Sequence, residues 1–211
     1  MGLPMTIEMA KKARELSATG KNVISLSLGE PDFDTPEFIK DAASQAMVEN
    51  YTHYMPVPGF SDVRESIAAK FKRDNGIEYT ADQIVISTGA KQSLLNIFLA
   101  LVNPGEEVII PAPYWVSYMD QAVYCGAEVK VLPTTMESGF KITADELESA
   151  ITPKSKVLIF SSPNNPCGAV YSKEELAAIA SVVAKHPNLY IISDEIYELL
   201  NYGEVAHVSI A

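Results

Sequence analysis

The feature that most constrains this chain is a series of short apolar runs, rich in β-branched residues, that recur along its length. They cover Ile84 to Ser87, Val108 to Pro111, Glu128 to Leu132, Val157 to Phe160 and Leu189 to Ser193. Runs of four or five such residues suit strands buried on both faces, the condition of strands in a parallel sheet. Helix-start signals lie between several of them: Thr143 with Glu146, and Ser172 with Glu175, each have the spacing of a capping box. This alternation predicts an α/β fold, a three-layer α/β/α sandwich with a mostly parallel sheet.

Upstream of this pattern, Thr6 to Leu16 has helical periodicity with Gly20 as a stop, and Val23 to Leu28 reads as a short strand. Thr35 and Pro36 read as the N-cap and first position of a helix running to about Glu49. The segment YTHYMPVPGF, with two prolines and a glycine, is a loop that exposes its tyrosines and leads into another helix.

Charge narrows the partners. With 16 basic and 27 acidic residues, the net charge is -11 and leaves no basic face for a nucleic-acid backbone. No apolar run is long enough to span a bilayer, and two cysteines make no disulfide framework, which together suggest a cytoplasmic protein. His53, His186 and His207 show no spacing for a metal or a triad and read as surface or loop residues.

Ligands of a parallel α/β sheet bind beyond the carboxyl ends of its strands, which singles out four segments. Thr88-Gly89-Ala90-Lys91-Gln92 precedes an apolar helix from Ser93 to Val102, and its small residues let backbone N–H groups approach a phosphate. Ala112-Pro113-Tyr114-Trp115 puts the only tryptophan at the rim, where it could stack on a planar ring or simply pack in the core. SPNNPCG carries Asn164 and Asn165, whose amides need partners if buried. Asp194 emerges directly from a strand with Tyr197 three residues on, and is either a helix cap or a carboxylate paired with a cation. No G-x-G-x-x-G follows the first strand, which disfavours a dinucleotide-binding domain.

Taken in order, STGAKQ, PYWVSY, SPNNPCGAVY and SDEIY resemble successive cofactor-binding segments of the class I, aspartate aminotransferase-like enzymes of fold type I, which use pyridoxal 5'-phosphate. LGEPDFDTP resembles the same family's substrate-side loop. The resemblance implies that Gly89, Ala90 and Lys91 bind the phosphate, that Trp115 stacks on the pyridine ring, and that Asn165 and Tyr197 bond its 3-oxygen. Asp194 would pair with the ring nitrogen, making Asp194 and Tyr197 the catalytic candidates in this chain. Gly29 would approach the substrate α-carboxylate, Asn165 would also touch substrate, and Tyr54 would reach the phosphate of the neighbouring subunit in a homodimer. Lys91 would meet a second substrate carboxylate, which points to aspartate or another dicarboxylic amino acid exchanging its amino group with a 2-oxo acid.

In domain terms the resemblance makes residues 1–48 an N-terminal arm with part of the small domain, and 49–211 the cofactor-binding large domain. Cys167 stands where the family more often has threonine; nothing cationic adjoins it in sequence, so it reads as a packed thiol. The family's cofactor-linking lysine and its α-carboxylate arginine belong to later segments that these 211 residues do not contain. The chain alone is therefore expected to be inactive: a fragment, a truncated product, or half of a structure completed by another chain. Two strands of the family's sheet also fall in those later segments, between Leu189–Ser193 and Ile84–Ser87, so the Ile84 run is expected to lack its neighbour. A lyase of the same fold, and a non-catalytic cofactor-binding or dimerisation module, are the alternatives.

Overall fold

The computed structural model describes residues 5–25 and 29–211. The chain divides into two compact units, Met1–Met55 and Pro56–Ala211.

The first unit contains helices α1 (Met5–Ala18) and α2 (Glu37–Val48). Met9, Ala13 and Leu16 of α1 line a groove with Val23 and Ile24. Residues 21–25 form no strand, and the rest of the expected Val23 to Leu28 strand lies outside the described residues. Helix α2 starts one residue later than the sequence suggests. Its N-cap is Pro36, whose ψ of 140° is extended rather than helical, and no side chain caps the helix.

The second unit opens with α3 (Ser61–Lys70), which continues as a π-turn over Phe71–Asn75, and then α4 (Ala90–Leu101). Strand β1 (Glu107–Pro111), α5 (Val116–Tyr124), β2 (Glu128–Leu132) and α6 (Ala144–Ala150) follow. The last elements are β3 (Ser155–Ser161), α7 (Lys173–Val183) and β4 (Tyr190–Asp194). The four strands are all parallel, in the order β2-β1-β3-β4.

Side-chain alternation along the strands builds two cores, one on each face. Val108, Ile110, Val157, Ile159 and Ile192 pack against Leu94 and Phe98 of α4 and Tyr118 and Ala122 of α5. Ile109, Leu158 and Phe160 face the other way, onto Leu147 of α6 and Leu176, Ile179 and Val182 of α7. The sheet is thus the middle of three layers, as the sequence predicts. Both expected capping boxes form. Thr143 and Ser172 accept hydrogen bonds from the backbone N–H groups of Glu146 and Glu175, whose carboxylates accept in return from the cap residues' own N–H groups.

Two further expectations need correction. Ile84 to Ser87 is not a strand: Ile86 donates its backbone N–H to Pro58 O at 3.0 Å, and among the described residues no strand lies beside the segment to supply a ladder. A run with strand composition stays irregular when no neighbour completes its hydrogen bonds. Helix α4 begins at Ala90, not Ser93, so Ala90, Lys91 and Gln92 form its first turn. Among the described residues, no helix is long and apolar enough to cross a membrane.

Candidate active site

The candidate residues of the second unit sit where three strands and one helix end. Asp194 is the last residue of β4 and lies in register with Ser161, the last of β3. Trp115 is the N-cap of α5, four residues past the end of β1, and Gly89 is the N-cap of α4. Parallel strands deliver these residues to one edge because all of them run the same way.

The Asp194 carboxylate is held from two sides. Tyr118 donates its phenol O–H to Oδ2 at 2.7 Å, and the Ile196 backbone N–H reaches Oδ1 at 3.3 Å. Tyr118 is buried at 1 % exposure. Burial, with the Asp194 carboxylate next, drives its phenol far above the usual tyrosine range, so it stays a proton donor. Tyr118 also meets Trp115 edge to face, with ring centroids 5.6 Å apart. The Lys91 ammonium lies 5.0 Å from the centre of the same indole. A continuous series of contacts therefore runs from the first turn of α4, through Trp115 and Tyr118, to Asp194.

The turn after β3 closes the other side. The Asn165 amide reaches the Tyr197 phenol oxygen at 3.4 Å, and the Asn165 backbone N–H donates to Ser161 Oγ at 3.2 Å. Asn164, whose amide needs partners, finds Pro113 O at 3.2 Å and takes the Cys167 N–H at 3.2 Å and thiol at 2.9 Å. Cys167 is thus a packed thiol acting as a weak donor.

At α4, Gly89 has φ +81°, a backbone conformation that favours glycine, and no side chain caps the helix. The Thr88 N–H is taken by Gln92 Oε1 at 2.6 Å. A carboxylate, a paired amide and phenol, an indole, and a helix N-terminus with its positive dipole end make a donor set suited to a planar cationic ring with an anionic tail. A ring stacking on Trp115 takes the indole face away from Lys91 or displaces the ammonium.

The family model of class I and II aminotransferases covers residues 21–211. The chain belongs to that family. This aminotransferase chain is 50% identical over 204 residues to a probable aspartate/prephenate aminotransferase of Rhizobium leguminosarum bv. phaseoli, covering 97% of this chain and 51% of that protein. It is 47% identical over 206 residues to the aspartate aminotransferase of Bacillus subtilis (strain 168), covering 98% and 52%. The solved aspartate aminotransferase of Thermus thermophilus with maleate superposes with a TM-score of 0.95 at 43% identity, over 100% of this chain and 55% of that one. The chain spans about half the length of the curated relatives it matches.

Within this family member, Gly29 and Tyr54 belong to the first unit, where both are exposed, Tyr54 fully. Gly89, Ala90, Lys91, Trp115, Asn165, Asp194 and Tyr197 all belong to the second. Sequence reading missed Tyr118, although it lies within PYWVSY. The available signal was its spacing of three from Trp115, which places both on one side of α5. Ser161 was missed for lack of any local signal. His207, read as a surface or loop residue, is on a loop but only 9 % exposed, 3.4 Å from the Glu195 carboxylate. Glu195 in turn accepts the hydroxyls of Ser193 at 2.8 Å and Ser209 at 2.9 Å.

Proposed function

We propose that this chain supplies the cofactor-binding portion of an aminotransferase that moves an amino group between an amino acid and a 2-oxo acid by means of pyridoxal 5'-phosphate. The observation that carries this reading is the Asp194 carboxylate, fixed by Tyr118 and joined through Trp115 to the Lys91 turn. That arrangement offers an anion and an aromatic face within one set of contacts, next to a helix N-terminus.

When bound, the cofactor supplies a sink for the electron pair released at the substrate α-carbon. Asp194 holds the proton on the ring nitrogen; an ion pair of about 4 Å at an effective dielectric near 20 is worth about 4 kcal/mol. Tyr118 keeps the carboxylate in place by binding its second oxygen. Asn165 and Tyr197 hydrogen-bond the ring 3-oxygen, and Gly89, Ala90 and Lys91 bind the phosphate. Trp115 covers the ring, excluding water and contributing roughly 0.5–1.5 kcal/mol beyond its area.

Gly29 and Asn165 contact the substrate, and Lys91 meets a second carboxylate, so a dicarboxylic amino acid is the proposed donor. The names of relatives, aspartate and aspartate/prephenate aminotransferases, support that choice. In this reading residues 1–48 form an arm with part of a small domain and 49–211 the large domain. Tyr54 reaches the neighbouring subunit's phosphate in a homodimer, and the enzyme works in the cytoplasm.

The test is an assay of the polypeptide as the cell makes it, with aspartate, 2-oxoglutarate and pyridoxal 5'-phosphate. The proposal expects stoichiometric transfer to the 2-oxo acid, and Asp194→Ala to lower turnover at least ~1,000-fold, near the ~4 kcal/mol above. Ammonia release in place of transfer would assign a lyase, and normal turnover in Asp194→Ala would remove Asp194 from the mechanism.

A further inference from the structure

Helix α5 touches both poles of the proposed site through buried polar side chains one turn apart. Tyr118 donates to Asp194 Oδ2 at 2.7 Å. Gln121, 9 % exposed, donates its amide Nε2 to the backbone carbonyl of Lys91 at 2.8 Å. The two contacts leave the same helix about 4.5 Å apart along its axis, toward different ends of the site.

Gln121 is costly where it is. Its Oε1 is buried with no hydrogen-bond partner among the described residues, so the amide sits in the core for the sake of one bond. A methionine of similar volume would fill the space without leaving an acceptor unmatched. The bond to Lys91 O also fixes which way the amide points, since the reverse orientation would set two oxygens against each other. Tyr118 is in a similar position: a phenylalanine would pack as well, but only the hydroxyl reaches Asp194.

We propose that Tyr118 and Gln121 are positioning residues, by which α5 holds the Asp194 carboxylate and the Gly89–Lys91 turn at a fixed separation matched to a ring and a phosphate carried on one molecule. The proposal rests on the reading of the site given above. A ligand with both groups gains from having its two sites held in register, because binding one end raises the effective concentration of the other. Loosening the register costs that gain and leaves each separate affinity intact.

For Gln121 the signature is a loss confined to the joined ligand; for Tyr118, which also orients the Asp194 carboxylate itself, it is a loss confined to the ring-bearing ligands. Calorimetric titration of the polypeptide as the cell makes it, with inorganic phosphate, pyridoxine and pyridoxine 5'-phosphate, reads it; these alcohols avoid covalent attachment to surface lysines. Gln121→Met is expected to weaken pyridoxine 5'-phosphate about tenfold while phosphate and pyridoxine each stay within about twofold. Tyr118→Phe is expected to weaken both ring-bearing probes about tenfold and leave inorganic phosphate unchanged. Equal loss for all three probes, in step with a lower melting temperature, would reduce both residues to packing and overturn the proposal. Unchanged affinity for pyridoxine 5'-phosphate in both variants would overturn it as well, with the site reading intact. A wild-type protein that binds none of the three probes would overturn the site reading and the proposal together.

Discussion

Tyr171 ties the turn that carries Asn165 to the core, and replacing it with phenylalanine gives a two-sided prediction. Its hydroxyl accepts the Ile142 backbone N–H at 3.0 Å, its own N–H donates to Ser162 Oγ at 3.1 Å, and its ring meets Phe160 at 5.4 Å. Tyr171→Phe keeps the ring contacts but strands the Ile142 N–H in a site where Ile142 is 4 % exposed. A buried donor left without its acceptor costs about 1–3 kcal/mol at neutral pH. Burial pushes the Tyr171 phenol up to about 12 from an ordinary 10, against the Ile142 N–H, which pulls it down, and with a smaller upward push from Glu175. A folded-state value above the unfolded one means that stability is full below pH 10 and falls as pH rises from there toward 12. Over that window the wild type loses about 1.4 kcal/mol per pH unit, roughly 3 kcal/mol in all. The variant has no such group, and every other titratable group is common to both proteins. Urea unfolding at several pH values should therefore show a gap of about 1–3 kcal/mol up to pH 10 that closes, or reverses sign, by about pH 12. A gap that stayed constant to pH 12 would refute the assignment of Tyr171 as a buried, protonated acceptor.

Phe98→Ala empties a fully buried position between α4 and the sheet and should cost about 3–5 kcal/mol, read as a lower denaturant midpoint. Ser172→Ala removes the cap of α7 and should cost ~1 kcal/mol in the same experiment. Gly59→Ala meets Ile86 Cδ1 at 2.7 Å with φ at +96°, so it should destabilise by at least ~1–2 kcal/mol; a neutral result would mean that the turn at Gly59 can shift to relieve the clash.

What the sequence made legible was mainly local. The capping boxes of α6 and α7 depend on residues three apart, and the central strands β1 and β3 announce themselves by short apolar runs covered on both faces, while the edge strands β2 and β4 carry similar runs that are only partly buried. Ile84 to Ser87 has the same composition and forms no strand, because a strand exists only with a neighbour, and that requirement is not written in the run itself. The start of α4 was hidden because Ala90, Lys91 and Gln92 have no apolar period, although Gly89 marks the cap. Among the candidate residues, Trp115 and Asn165 follow strands and Asp194 ends one, places that the apolar runs alone suggest. The Tyr118 to Asp194 bond joins residues 76 positions apart, and the burial of His207 beside Glu195 likewise comes only from tertiary packing.

Direct observation of the bound cofactor is the most decisive measurement. A crystal structure of the polypeptide as the cell makes it, soaked with pyridoxal 5'-phosphate, should place the pyridine nitrogen about 2.7–3.2 Å from the Asp194 carboxylate. It should also show the ring against Trp115 and the phosphate at the first turn of α4. A ring whose nitrogen faces solvent or another side chain, with Asp194 still bonded only to Tyr118 and Ile196, would contradict the account.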